Sequence, residues 1–594
     1  MKKTLLIIIY FALLSLSLSA SPISRSKAQT LAKAFLGSDN ITEVSFMKES
    51  SSLRMASSSD EQIFHAFNRS GGGWVIMAGD DLLSPVLGYS DTGSLGSELP
   101  SNMKVYFEGI ERNLSKVRNA EVETDETVKT GWTGLEARRT TLRTSSSTGK
   151  LLETASWGQE SPFNDLCPTN CPTGCVATAM SIVMRYHKWP EHGTGTLDSY
   201  TSYKKTISGF SIDDHYYDWD LPLKYTSSWT SAKKSSAATL LYDLGVSVYM
   251  QYATDGSGAY SSEIIPALVN HFSYDGSMVE HYRYHYSNAE WLEMIKAEID
   301  AGRPIIYGGS DTEEDAGHQF VVDGYDKNGK VHINWGWSGS ANGYFAVNYL
   351  GDSSNVGYVF SYWDSGIFGI RKVENQSSMV NVPLFLIANN DYYGITLSSG
   401  KPSDKSFSID VGLVINESEY TDYDGYLRPV LVDSKGNVKE VIGDSNSFKV
   451  EHIDDEGYYY YGVTSFNCTI SGAIAPGDAV EVQYQQGDGS WEKLPAEPAG
   501  DYQDLNVGDS MSTASLGVFD AAYIRFPESM SSGENLYFEL IPGWHVPQTV
   551  VWYYDNSVKS NNYATLTSGT HKVKAMITNV DGSSETVETS IKVE

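Results

Sequence analysis

The sequence predicts an α+β protein built from several domains. At 594 residues the chain is too long for one hydrophobic core. Helical periodicity is concentrated before residue ~375, and alternating, turn-punctuated segments take over after it. The 39 Tyr residues, together with abundant Thr, Ser, Val and Gly, favour strands.

Residues 1–20 read as a secretory signal. Lys2-Lys3 start it, Leu5 to Leu18 form an apolar run short for a bilayer span, and small residues Ser17, Ser19 and Ala20 end it. No later stretch is long and apolar enough to span a membrane, so the mature chain is expected outside the cytoplasm, in the periplasm, at the cell surface or in the medium. Residues 21–130 form an expected α+β unit. Ala28, Leu31, Ala32 and Phe35 share a helix face, Trp74 to Ala78 read as a buried strand between glycine turns, and Leu99-Pro100-Ser101 opens a second helix toward Val117. Residues 131–150 read as a basic, Ser/Thr-rich linker open to cleavage, with Arg138, Arg139 and Arg143 in it.

Residues 151–374 carry the chemistry. Pro172-Thr173-Gly174-Cys175 turns into an apolar helix through Tyr186 that stops before Pro190. Another helix spans Ala289 to Asp300, with its cap at Ser287 or Asn288, and is ended by Gly302 and Pro304. Strands follow at Ile305 to Tyr307, Gln319 to Val322, Val331 to Trp335 and Gly343 to Val347. From 375 the pattern suggests two β-sandwiches of immunoglobulin-like type, at 375–510 and 511–594.

Cys175 stands at the expected first turn of its helix. Thr173 can cap it, and the free N–H groups and helix dipole there favour the nucleophilic thiolate. A thiolate nucleophile needs a base that also protonates the leaving group, and His318, at a strand start after the acidic loop 308–317, is the candidate. Asn334, on the next strand, can orient that imidazole, and Trp335 can cover the pair from water. The Cys175 N–H and the Gln159 amide can serve an oxyanion.

Gln, Cys, His and Asn-Trp in this order match papain-like thiol proteases. More specifically, the segment resembles the streptopain family of secreted bacterial cysteine proteases. The resemblance rests on Trp157-Gly158-Gln159, Thr173-Gly174-Cys175-Val176-Ala177-Thr178-Ala179-Met180, Gly317-His318 and His332-Ile333-Asn334-Trp335-Gly336-Trp337. The N-terminal unit resembles that family's propeptide through Gly73-Trp74-Val75-Ile76, Gly79-Asp80-Asp81, Leu87-Gly88-Tyr89-Ser90 and Leu99-Pro100. The resemblance implies a papain-like catalytic domain and a zymogen whose propeptide inhibits it in the same chain. It implies an endopeptidase that favours an apolar residue two positions before the scissile bond. It also implies Cys175 as nucleophile, His318 as acid and base, Gln159 in the oxyanion hole, Asn334 orienting His318 and Trp335 shielding them. Nothing is implied for the C-terminal β-region, whose ligand, protein or glycan, is left open.

The net charge of −31 argues against nucleic acid and anionic membrane surfaces as partners. Protein or peptide substrates remain. The acyl-transfer chemistry needs no cofactor. Cys167, Cys171 and Cys175 lack the second pair that a zinc spacing requires, so no metal is expected; Cys167 and Cys171 either pair or stay reduced. His281 and His285 read better on a strand than as ligands sharing a helix face, and Cys468 reads as a buried thiol. The competing readings are a transglutaminase-like acyl-transferase, against which Asn334 in place of Asp counts, and a surface adhesin with a decayed thiol site.

Overall fold

The computed structural model describes residues 22–46, 62–119, 124, 126–137, 148–203, 205–283, 286, 288–310, 317–347, 349 and 362–373, and much of 384–593. The expected signal, the linker core at 138–147, loop residues 311–316, His285 and Ser287 lie outside the described residues. The chain is a mixed α/β protein with antiparallel sheets. It divides into two compact units, one of residues 1–148 with 326–332 and 340–359, the other of 149–325, 333–339 and 360–594.

In the first unit, α1 (Arg25–Leu36) buries Ala28, Leu31, Ala32 and Leu36. Ser24 caps it through its hydroxyl, and Gly37 ends it in the left-handed conformation. Strands Ile41–Glu43, Phe64–Arg69, Trp74–Ala78 and Val86–Ser90 follow in spatial order, and Gly343–Phe345 pairs antiparallel with the last, Tyr344 opposite Tyr89. Helix α2 (Ser101–Asn119) buries Met103, Tyr106, Phe107, Ile110 and Leu114, one apolar stripe. Helix α3 (Glu126–Ala137) buries Val128, Trp132 and Leu135, and the Trp132 indole donates to the Leu83 carbonyl at 2.9 Å. The expected linker therefore begins as helix, because these three apolar residues share a face.

In the second unit, α4 (Cys175–His187) is buried from Cys175 through Arg185. It packs against α5 (Ser231–Ser247), in a core that also takes residues of α6 (Ile264–Phe272). Ile306, Val321 and Ile367 bring the sheet into that core. There, His318–Asp326 pairs with Ile305–Ser310, which pairs with Tyr362–Phe368, and Val279–Tyr282 closes the edge, all antiparallel. Helix α7 (Asn288–Asp300) packs against Ile305–Ser310. His281 lies in the Val279–Tyr282 strand, with its Nδ1 2.7 Å from the Tyr286 hydroxyl.

Farther on, two antiparallel sheets share one core that includes Ile409, Val411, Tyr423, Leu427, Val480 and Val482. A second core gathers Ile524, Phe538, Trp552, Val573, Ala575 and Ile591. Val430, Val432, Ala479 and Ile541 join the two regions. The Arg525 guanidinium donates to Glu481 Oε1 at 2.7 Å beside this seam.

Candidate active site

Cys175 begins α4. Its N-cap is Gly174, with φ 89°, and no side chain caps the helix. The expected Thr173 cap is not formed: the Thr173 hydroxyl lies 2.8 Å from the Thr178 hydroxyl, which itself donates to the Gly174 carbonyl at 2.8 Å. Gly174 is required by both conformation and space. A Cβ there would come 2.5 Å from Met250 Sδ and 3.0 Å from the Ser257 carbonyl.

The Cys175 sulfur is buried. Burial pushes its thiol above the ordinary range, while the backbone N–H groups of Gln319, Val176 and Cys175 itself pull it down. Burial is the larger effect, so in this form Cys175 is a thiol rather than the thiolate that its helix position alone favours. The Gln319 contact has a second meaning. It sets the residue after His318 near enough to the Cys175 sulfur to lower its pKa, and so relates two motifs far apart in sequence. His318 itself is half-buried and pairs with Gly309 on the neighbouring strand.

The other motifs converge on the same region. The Thr173 N–H donates to the Gln159 carbonyl at 3.1 Å, tying Gln159 to the turn before Cys175. The Ser338 N–H donates to the Trp157 carbonyl at 2.9 Å. Gly158 lets these segments approach, since a Cβ there would lie 2.4 Å from Ser338 Oγ. A Cβ on Gly336, with φ 73°, would come 3.1 Å from Thr178 Cγ2 on α4. Trp335 is fully buried, with its ring centroid 4.9 Å from that of Phe320.

Asn334 is placed differently from the expectation. Its amide donates to the Ala155 carbonyl at 2.8 Å and to the Thr154 hydroxyl at 3.1 Å, and its Oδ1 accepts from the Gly336 N–H at 3.3 Å. In this arrangement its side chain fixes the Thr154–Ala155 segment and the Trp335 turn rather than the His318 ring. The physical reason is register: Asn334 ends its strand, where the turn N–H and the adjoining segment offer nearer partners. Two contributors were not foreseen. Gln319 acts through a backbone N–H, which carries no side-chain signal. Thr154 donates to Asp323 and accepts from Asn334, and its type and position gave no pattern to read.

All four cysteines are free thiols. Burial pushes the Cys468 thiol up to about 12. Burial also raises Cys167 to about 12, with Cys171 and Asp165 adding to it and Tyr252 opposing. Among the described residues, no three His, Cys, Asp or Glu side chains converge as metal ligands, and no helix is long and apolar enough to cross a membrane.

Residues 157–345 match the Peptidase C10 family, and residues 20–114 match the Spi protease inhibitor. The chain is similar to the thiol protease/hemagglutinin PrtT of Porphyromonas gingivalis, at 34% identity over 358 residues, covering 57% of this chain and 40% of PrtT. It is also similar to streptopain of Streptococcus pyogenes, at 27% identity over 371 residues, covering 55% of this chain and 89% of streptopain. The chain thus matches less than half the length of PrtT. Among solved structures, a prointerpain A fragment of Prevotella intermedia aligns at 25% identity and a TM-score of 0.42, covering 56% of this chain and all of that fragment. Active interpain A of the same organism aligns at 32% identity and 0.33, covering 38% of this chain and 95% of the other. The similarity of this chain is thus to a Peptidase C10 domain over residues 157–345 and to a Spi protease inhibitor over residues 20–114.

Proposed function

We propose that the chain is an exported cysteine endopeptidase made as a zymogen. The observation that carries this reading is the Cys175 thiol at the start of α4, directly after the turn whose Thr173 N–H is tied to Gln159. The family match over residues 157–345 and the inhibitor match over 20–114 support it. Cys175 is the nucleophile and His318 the general base and acid. The Cys175 N–H and Gln159 stabilise the oxyanion, Trp335 shields the site, and Asn334 is a positioning residue acting through the Thr154–Ala155 segment and the Trp335 turn.

In the reaction, His318 takes the Cys175 proton and the thiolate attacks a peptide carbonyl. The imidazolium then protonates the amine as the C–N bond breaks, and water attacks the thioester to release the acid and restore the thiol. An apolar side chain two residues before the cut is the proposed preference. The catalytic domain is proposed as papain-like over 151–374. The regions 375–510 and 511–594 are proposed as Ig-like domains with a protein or glycan ligand. Residues 1–20 direct export, and 21–130 inhibit until the linker at 131–150 is cut.

The test is labelling by a thiol-directed epoxide followed by peptide mapping, together with Cys175→Ala. Label on Cys175, and loss of both hydrolysis and self-processing in the variant, are expected; hydrolysis retained by Cys175→Ala rejects the assignment. N-terminal sequencing of the active form is expected to begin between roughly residues 130 and 156.

A further inference from the structure

Three exposed tyrosines lie on segments tied to the turn before α4, and the hydrolytic steps use none of them. Tyr203 follows strand Tyr200–Ser202 at a hairpin tip, Tyr249 follows α5, and Tyr260 precedes the Ser261–Glu263 turn. They are 68%, 40% and 81% exposed, too open to serve as core. Tyr203 and Tyr249 also hold φ of 50° and 52°. That left-handed region strains a bulky side chain, and strain of this kind gathers at functional positions.

The tyrosines are tied to one another and to the catalytic turn. The Tyr203 N–H donates to Gln251 Oε1 at 3.2 Å, and Gln251 Nε2 donates to the Tyr249 carbonyl at 3.0 Å. Gln251 bridges Gly258, two residues before Tyr260, in both directions. The Tyr200 ring meets that of Tyr249 edge-on at 5.6 Å, and its hydroxyl donates to the Met250 carbonyl at 2.8 Å. Met250 packs on Gly174, and the Ser257 hydroxyl donates to the Pro172 carbonyl at 2.8 Å. The ledge is therefore built onto the turn that presents Cys175.

Charges of both signs flank it in the sequence, with Asp198, Asp255 and Glu263 against Lys204 and Lys205. Burial first, then the charges of Asp198 and Glu263, hold the Tyr249 phenol above its ordinary range, and Asp255 is exposed in the loop closed by Gln251 and Gly258. Lys205, across the hairpin from Ser202, is a nearby cation. Phenol faces flanked by carboxylates fit a guanidinium or an ammonium, which stacks on the ring and pairs with the acid.

We propose that Tyr203, Tyr249 and Tyr260, with Asp198 and Glu263, form a ledge for an arginine or lysine side chain of a peptide whose scissile bond lies at Cys175. This rests on the endopeptidase reading. The chain itself carries such a sequence, since Arg138, Arg139 and Arg143 precede the catalytic domain. The ledge thereby selects basic substrates, among them the linker that must be cut.

The test uses the activated product of the full-length chain and pairs of quenched fluorescent peptides that differ only in Arg versus Gln. The varied residue is moved about three to six positions from the cut on either side, since an extended peptide spans roughly 3.3 Å per residue. The Arg peptide is expected to show a kcat/KM about five- to tenfold higher at one or more positions, mainly through KM and fading with salt. The double variant Asp198→Asn with Glu263→Gln is expected to abolish that preference while the Gln peptide is cut as before. Equal kcat/KM for Arg and Gln peptides at every position overturns the ledge, as does a double variant that slows both peptides equally. Fluorescence polarisation of the same peptides on the activated enzyme, alkylated at Cys175, reads the ledge without hydrolysis, and equal affinities there overturn it as well. Cleavage of the Gln peptide by the native enzyme, lost in Cys175→Ala, tests the endopeptidase reading separately.

Discussion

At the residue scale, Cys175 illustrates two opposed electrostatic effects. Three N–H groups favour its thiolate, and burial outweighs them. Alkylation of Cys175 in the uncut chain should therefore climb with pH past the ordinary thiol value of about 8.5. A rate already level below pH ~7 would contradict the buried-thiol state. Gly174 carries a different constraint. With φ 89° and the Ser257 carbonyl 3.0 Å from where a Cβ would sit, Gly174→Ala should cost about 1–3 kcal/mol and shift the Cys175 N–H. Denaturant unfolding should register that loss, and hydrolysis should fall at least about tenfold with the misplaced oxyanion donor. Gln159, Cys175, His318, Asn334 and Trp335 could be singled out because each has a side chain suited to a role and stands in a recognisable order, and their roles stand as proposed. Gln319 was not legible, since a backbone N–H has no residue signature and its reach to sulfur follows from strand register. The partners of Asn334 were missed for the same reason.

At the element scale, α4 was read nearly whole. The apolar run from Val176 to Met184 and Pro190 beyond it bound the helix without help from tertiary contacts. Its cap was misread because Thr173 and Thr178 satisfy each other. Helix α3 was missed, although Val128, Trp132 and Leu135 mark one face; the basic Ser/Thr-rich residues that follow masked the pattern. The last turn of α4 carries a pH-dependent element. Burial, with Lys372 and Arg303 nearby, lowers the His187 imidazole to about 4, and its Nδ1 lies 3.2 Å from the Tyr274 hydroxyl. The unfolded chain takes up a proton near pH 6.5 that the folded chain refuses until about 4. Stability should therefore fall as pH drops through that window, by up to about 3 kcal/mol from this group. Urea midpoints measured across the window check it. His187→Gln should flatten the dependence, and an unchanged slope in that variant would remove His187 as the cause.

At the scale of the whole molecule, the β-rich region after residue 375 was foreseen from alternation. The strand partnership in the first unit was not, because nothing local in Val86–Ser90 names Gly343–Phe345 as its neighbour. That partnership rests on close packing. A Cβ on Gly88 would come 2.7 Å from the Phe345 ring, which also meets Trp74 at 5.8 Å and Tyr106 at 5.7 Å. The Tyr106 hydroxyl donates to the Ala346 carbonyl at 2.8 Å, Tyr89 to Asp326 at 2.8 Å, and Asn113 to the Tyr349 hydroxyl at 2.7 Å. Several buried aromatics and a strand pair hold the N-terminal residues independently of the linker, whose cutting removes only the effective concentration it supplied. Cutting within 138–147 should therefore leave the N-terminal fragment bound, co-eluting with the catalytic fragment on size exclusion until it is unfolded or digested. Gly88→Val drives a side chain into Phe345 and should let the fragment dissociate once the linker is cut, so that activity emerges sooner. Immediate release of the native fragment at micromolar concentration would show that the strand pair does not hold it. Retention in Gly88→Val as firm as in the native chain would move the hold away from Phe345, to the Tyr106, Tyr89 and Asn113 hydrogen bonds.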